Sequence, residues 1–291
     1  MYTDMFGKQR MKINLHTHTT NSDGGKSPED AAAVYNAAGY DAIALTDHWK
    51  YVPSGTVNGL RILSGVEYNT ASGDAGIGVY HILALGCKQE PALAKEDSAQ
   101  MIVDEINRCG GLAVLAHPAW SVNTPEQGIA LNGVEVTEIY NSVSDAHESS
   151  RPYSGYFADT TAAHGKQFSL IATDDVHYYD GTDDTKAWIM LECSKDATDD
   201  EILNAIRNRK FYATQGPELH IWREGDTIKV RCSPVCRISM FSNAPWSRGA
   251  CVKGENLTEH TYNLLPHQTF VRAEVTDAEG RCAWSNIIDL K

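Results

Sequence analysis

Between Met11 and Thr173, short apolar runs alternate with polar, helix-like stretches. The runs are KINLH, DAIALTD, LRILSGVE, YHILALG, GLAVLAH, GVEVTEIYN and FSLIATD. Apolar runs separated by helical patterns predict strands joined by crossover helices, the rhythm of a parallel βα barrel. Two of the intervening stretches carry clear boundary signals. SPEDAAAVYNAAG opens with Ser27 as N-cap and Pro28 at the first helical position, and it closes at Gly39. SAQMIVDEINRCGG repeats the logic: Ser98 caps, Met101, Ile102 and Ile106 share the apolar side, and Gly110 ends it. A third helix is predicted over TDDEILNAIRNRK.

After FYATQGPEL the texture changes. LHIWRE, TIKVRC, RISMFS, HTYNLL, TFVRAEVTD and AWSNIIDL alternate at strand period and are broken by Gly, Asn and Pro, with no helix between them. This predicts a small antiparallel β-sandwich. The boundary falls near Gly216 and Pro217, dividing the chain into an α/β unit over 11–216 and a β unit over 217–291.

The length of 291 residues is enough for a large core plus a small companion, and 42% hydrophobic with 22% charged residues is ordinary for a globular protein. No apolar run approaches the ~18 residues that span a bilayer, so no membrane association is expected. MYTDMFGKQR lacks the apolar segment of a secretory signal, so a cytoplasmic location is expected. The seven cysteines are scattered with no CxxC pair and read as reduced thiols. Cys232, Cys236, Cys251 and Cys282 lie in strand-like sequence at poor spacing for a metal, and read as core residues. A net charge of −13 with no basic stripe argues against duplex nucleic acid as a partner. It leaves room for a small anion, because divalent cations would make a pocket locally positive.

The chemistry lies at the ends of the apolar runs. Six of the eleven histidines fall in HTHTTNSDGG, LTDHW, VYHILALG, LAHPA and TDDVH, and SGVEY adds a carboxylate. The candidate metal ligands are His16, His18, Asp23, His48, Glu67, His81, His117, Asp175 and His177. Residues two apart in a strand share a side, so His16 with His18, and Asp175 with His177, each present two donors to one point. One such pair arises readily by chance; two, with His48 and His117 placed alike, point to a multi-metal hydrolytic centre at the strand C-termini. Imidazoles with carboxylates suit Zn, Mn or Fe. Glu67 is placed to bridge two cations. Asp174 does not share a strand face with His177, and Asp175 does. Lys26 and Arg151 are candidates to meet a phosphate dianion. His147 lies in NSVSDAHESSRPYSGY, a polar segment that could close over the site, and Asn141 could hydrogen-bond substrate or a ligand. Glu135 and Glu138 read as structural. Trp49 sits beside the site, with packing the commoner use of such a ring.

These motifs resemble the PHP (polymerase and histidinol phosphatase) family of metal-dependent phosphoesterases. HTHTTNSD, TDH, GVE, YHIL, AHP and DVH occur in the family's order over Met11 to Pro217, and all nine ligand positions are filled. The resemblance implies a distorted seven-stranded βα barrel with two or three divalent ions (Mn, Fe or Zn). It implies one ion on His16, His18, Glu67 and Asp175, a second on Asp23, His48 and His117, and a third on Glu67, His81 and His177. It implies hydrolysis of a small phosphorylated metabolite or nucleotide by a metal-activated water, with Glu67 bridging. The alternatives are an amidohydrolase, which shares the His-x-His start but pairs it with a lone late Asp, and a non-catalytic module stabilised by metal.

Overall fold

The computed structural model describes residues 1–70 and 78–291, and its strands form two sheets. The larger has thirteen strands. Its path runs Leu219–Glu224, Thr227–Ser242, Phe270–Thr276, Cys282–Ser285, Phe211–Thr214, Trp188–Leu191, Gln9–Asn14, Ala42–Ala44, Leu60–Leu63 and Gly55–Val57. The smaller has five: Ser169–Thr173, Val136–Asn141, Leu112–Leu115, His81–Leu85 and Gly65–Asn69.

The α/β character is as expected, but the seven runs do not close into a barrel. The run LRILSGVE is split between the sheets: Leu60–Leu63 pairs in parallel with Ala42–Ala44, whereas Gly65–Asn69 pairs antiparallel with His81–Leu85. Gly65 permits this crossing, since a Cβ there would lie 2.4 Å from the Leu45 carbonyl oxygen. His81–Leu85 is antiparallel to Leu112–Leu115 as well. A parallel crossover needs about a dozen residues and usually a helix. The apolar runs around Glu67 and His81 are too close in sequence for that. Where a barrel would close, isolated bridges in place of a continuous ladder join the sheets among the described residues, Thr17 to Val176 and His48 to Glu67. Both bridges lie among the candidate ligands.

The expected helices form at their expected caps. Pro28–Ala37 begins where the Ser27 side chain accepts from the Asp30 N–H, and Ala99–Arg108 where Ser98 accepts from Met101. Asp199–Arg207 starts with a reciprocal capping box between Thr198 and Glu201. Ile102, Val103 and Ile106 pack into the main core with Ile82, Leu85, Val114 and Val136. Among the described residues no helix is long and apolar enough to cross a membrane.

The C-terminal strands pair antiparallel, as their alternation predicts, but in place of a separate sandwich they extend the larger sheet. The link is Phe211–Thr214 against Cys282–Ser285, in the register Ala213 to Trp284. They bury a core of their own around Ile228, Val230, Ile238, Tyr262, Val271 and Val275. Arg272 ties this region to the α/β unit. Its fully buried guanidinium donates to both oxygens of Asp159 on the helix Gly155–Ala163, at 2.6 and 2.7 Å, and to Glu274, and it lies 4.3 Å from the Phe241 ring centroid. Removing one partner of a buried charge pair strands the other. Arg272→Met is expected to destabilise the protein by about 3 kcal/mol in urea unfolding, with Arg272→Lys intermediate.

Candidate metal centre

Each ligand candidate is delivered at or just past a strand end. His16 and His18 follow Gln9–Asn14, and both are fully buried. Their Nε2 atoms lie 3.1 Å apart. Both face the same two carboxylates: His16 Nε2 is 2.9 Å from Asp175 Oδ1 and 3.2 Å from Glu67 Oε2, and His18 Nε2 is 3.1 Å from each of these oxygens. The His16 Nδ1 hydrogen is donated to Glu138 Oε1 at 2.8 Å, so Nε2 is the ring nitrogen that faces the cluster. Among the described residues Asp175 Oδ1 and His48 Nδ1 are buried and make no well-aligned hydrogen bond, close as the neighbouring imidazole and carboxylate atoms are. Crowded imidazole nitrogens and carboxylate oxygens are what a cation would bring together once the imidazole protons leave, and the N/O donor set fits a divalent transition metal.

The first implied set, His16, His18, Glu67 and Asp175, is thus brought together. The other two are rearranged. His117 Nε2 lies 3.3 Å from Glu67 Oε1, and His81 Nδ1 lies 2.8 Å from the same oxygen. His177 Nε2 is instead 3.6 Å from Asp23 Oδ1, with His48 Nε2 3.7 Å from Asp23 Oδ2. His117 and His177 have therefore exchanged places relative to the arrangement the resemblance implied. The cause is backbone direction: His117 at φ 25° and Asp175 at φ 50° turn sharply out of their strands, and His177 comes to stack on His18 with ring centroids 4.2 Å apart. Glu67 faces two groups, with Oε1 toward His81 and His117 and Oε2 toward His16, His18 and His48.

A buried polar layer holds these side chains. Asp47 accepts from the Thr19 N–H and hydroxyl, both at 2.7 Å, and from Ser22 at 2.9 Å, pinning the loop that carries Asp23. Asp183 accepts the backbone N–H groups of His177, Tyr178 and Tyr179. Asp174 faces away from the ligand cluster and accepts from Tyr35, Ser142 and the N–H groups of Thr185, Lys186 and Ala187. Asn141 is fully buried, and its amide donates to Glu138 Oε2 at 2.8 Å and Asp175 Oδ2 at 3.0 Å. Its amide is thus committed to two carboxylates, one of them the candidate ligand Asp175. The signal for this layer was polar residues inside otherwise apolar runs, as in VTEIYN.

The cluster floors a cleft of about 500 Å³, walled by Trp120, Val143, Ser144, Glu148 and Tyr178. None of Lys26, Asn141, His147 and Arg151 lines it. Lys26 Nζ sits 5.9 Å from the Tyr179 ring centroid, Arg151 is exposed, and His147 stacks on Tyr178 with centroids 3.9 Å apart. Among the described lining residues none is Lys or Arg, and residues 71–77 contain neither.

Burial alone would push the His16 and His18 imidazoles down. The carboxylates of Asp175, Glu67, Glu138 and Asp23 outweigh it and hold both well above the ordinary imidazole range. His117 and His177 are raised likewise against their burial. Glu67, Asp175 and Asp23 are held below the carboxylate range by the imidazoles, again against burial. His48 is lowered, with burial the dominant cause.

The whole chain aligns with a two-domain protein from Bacteroides vulgatus described as containing a predicted PHP-like metal-dependent phosphoesterase. The TM-score is 0.55 and the identity 16%, over 99% of this chain and 98% of that one. The fold is PHP-like. Two further structures are similar over part of the chain. One is a Bifidobacterium adolescentis protein provisionally described as a metal-dependent phosphoesterase (TM-score 0.41, 15% identity, 57% of this chain and 87% of the other). The other is a Chromobacterium violaceum amidohydrolase with bound sulfate and no metal (TM-score 0.40, 18% identity, 58% and 89%). At those scores they carry no weight. No family model matches the chain, and no curated protein matches it in sequence.

Protons and any bound cation would compete for this cluster. Imidazoles raised by folding stabilise the metal-free protein below about pH 6.5 and lose that contribution as pH rises; carboxylates lowered by folding contribute above about pH 4. Metal binding must displace the imidazole protons. The rise in Tm on adding Mn²⁺ is therefore expected to be large at pH 8 and to shrink at pH 5.5 in scanning calorimetry. An equal rise at both pH values would contradict this.

Proposed function

We propose that the chain is a metal-dependent phosphoester hydrolase acting on a small substrate that carries one phosphoryl group. The observation that carries the reading is the convergence on Glu67, whose two oxygens face separate sets of imidazoles. Glu67 Oε2 with His16, His18 and Asp175 would hold one cation, and Glu67 Oε1 with His81 and His117 a second. Asp23, His48 and His177 would hold a third. Divalent cations in such a site supply a nucleophile at neutral pH and neutralise phosphoryl charge.

The chain's own residues do the rest. Trp120 packs edge-on against the rings of His81 and His117, at 5.3 and 5.0 Å, and with Tyr178 narrows the cleft around the leaving group. Ser144 donates its hydroxyl to Asn141 Oδ1 at 2.8 Å, so it serves as a brace and not as a nucleophile. The cleft volume suits a metabolite rather than a polymer. With Glu148 lining it and no Lys or Arg among the described lining residues, a second anionic group would find no lysine or arginine partner there. The same lack of Lys or Arg among the described lining residues favours one other reading, hydrolysis of a neutral amide.

Phosphate release by Mn²⁺-loaded protein across sugar phosphates, amino-alcohol phosphates, nucleoside monophosphates, nucleoside bisphosphates and short oligonucleotides tests the proposal. Monophosphates are expected to turn over, bisphosphates more slowly, and Asp175→Asn to fall to background. Silence from metal-replete protein on every phosphate, with turnover of amides, would overturn it.

A further inference from the structure

We infer that Glu138 is the positioning residue that sets the metal affinity of the centre, acting through three ligand residues from three separate parts of the chain; this rests on the metal-dependent reading above. Glu138 lies on Val136–Asn141, between Leu112–Leu115 and Ser169–Thr173 in the smaller sheet, and is fully buried. No Lys or Arg pairs with it among the described residues; four donors do. Oε1 accepts from His16 Nδ1 at 2.8 Å and Thr173 Oγ1 at 2.7 Å, and Oε2 from the His117 N–H and Asn141 Nδ2, both at 2.8 Å.

Each contact reaches a ligand differently. The bond from His16 fixes the tautomer that leaves Nε2 free and makes that nitrogen a better donor. The bond from the His117 N–H holds a backbone at φ 25°, a conformation few residues adopt unaided. The bond from Asn141 orients the amide that also holds Asp175 Oδ2 at 3.0 Å. One carboxylate thus references His16, His117 and Asp175 to each other. Burying a carboxylate this deeply is costly unless its oxygens are fully hydrogen-bonded, as the four donors here make them.

Glu138→Gln keeps the shape and breaks the logic. With its amide nitrogen at the Oε2 position, it meets the donors of His117 and Asn141. With that nitrogen at the Oε1 position, His16 must move its proton to Nε2, the atom meant for the metal. Removing such an outer partner typically weakens metal binding 10–100-fold.

The test is titration of metal-free protein with Mn²⁺ at pH 8, followed by calorimetry and by the electron paramagnetic resonance signal of free Mn²⁺. Melting of the metal-free state is measured in parallel. Glu138→Gln is expected to bind roughly 10–100-fold more weakly, with its metal-free Tm near that of the parent protein. Exposed Glu135→Gln is expected to bind as the parent does. Parent-like affinity in Glu138→Gln would overturn the inference. If Glu138→Gln fails to fold, Thr173→Val, which removes a donor to Glu138 and no ligand, is titrated instead. A several-fold weakening supports the inference and unchanged affinity overturns it. If the parent protein itself takes up no Mn²⁺, the functional reading falls first.

Discussion

Six imidazoles and three carboxylates, most of them buried, are crowded at the seam between two sheets, and they cannot satisfy one another. The two Nε2 atoms of His16 and His18 compete for the same carboxylate oxygens, and among the described residues buried atoms of Asp175 and His48 make no well-aligned hydrogen bond. Only shared protons or cations can balance such a set. The rest of the site answers to that constraint. Asp47, Asp183, Glu138 and Asn141 direct their hydrogen bonds to the candidate ligands or to the loops that carry them.

The open seam matters as much as the strands. A closed barrel would place the ligands around a continuous rim. Here the sheets meet through the bridges Thr17 to Val176 and His48 to Glu67, so ligands from both sheets project into one cleft. The unfavourable φ values of His117 and Asp175 lie at this junction, where strain is held by surrounding hydrogen bonds.

Much of this was legible in the sequence. His-x-His and Asp-x-His at the ends of apolar runs carry their own geometry, because the two-residue period aims both side chains at one point. The grouping of His16, His18, Glu67 and Asp175 came from the family resemblance, and the structure brings those four side chains together. Which ligands join the other two groups was not legible, since chain order says nothing about the turns at His117 and Asp175 that exchange His117 with His177. Barrel closure was not legible either: an apolar run has the same pattern whether its neighbour is parallel, antiparallel or in another sheet, and the split of LRILSGVE at Ser64 leaves no mark in periodicity. Glu138 read as an ordinary structural glutamate because its partners are distant in sequence.

The central claim is that one cleft gathers separate cation sites around Glu67. Anomalous diffraction from crystals soaked with Mn²⁺ tests it most directly. The account predicts peaks between His16, His18, Asp175 and Glu67 Oε2, and between His81, His117 and Glu67 Oε1, with a third near Asp23, His48 and His177. Mn²⁺ bound away from Glu67, or no ordered peak in the cleft, would contradict it.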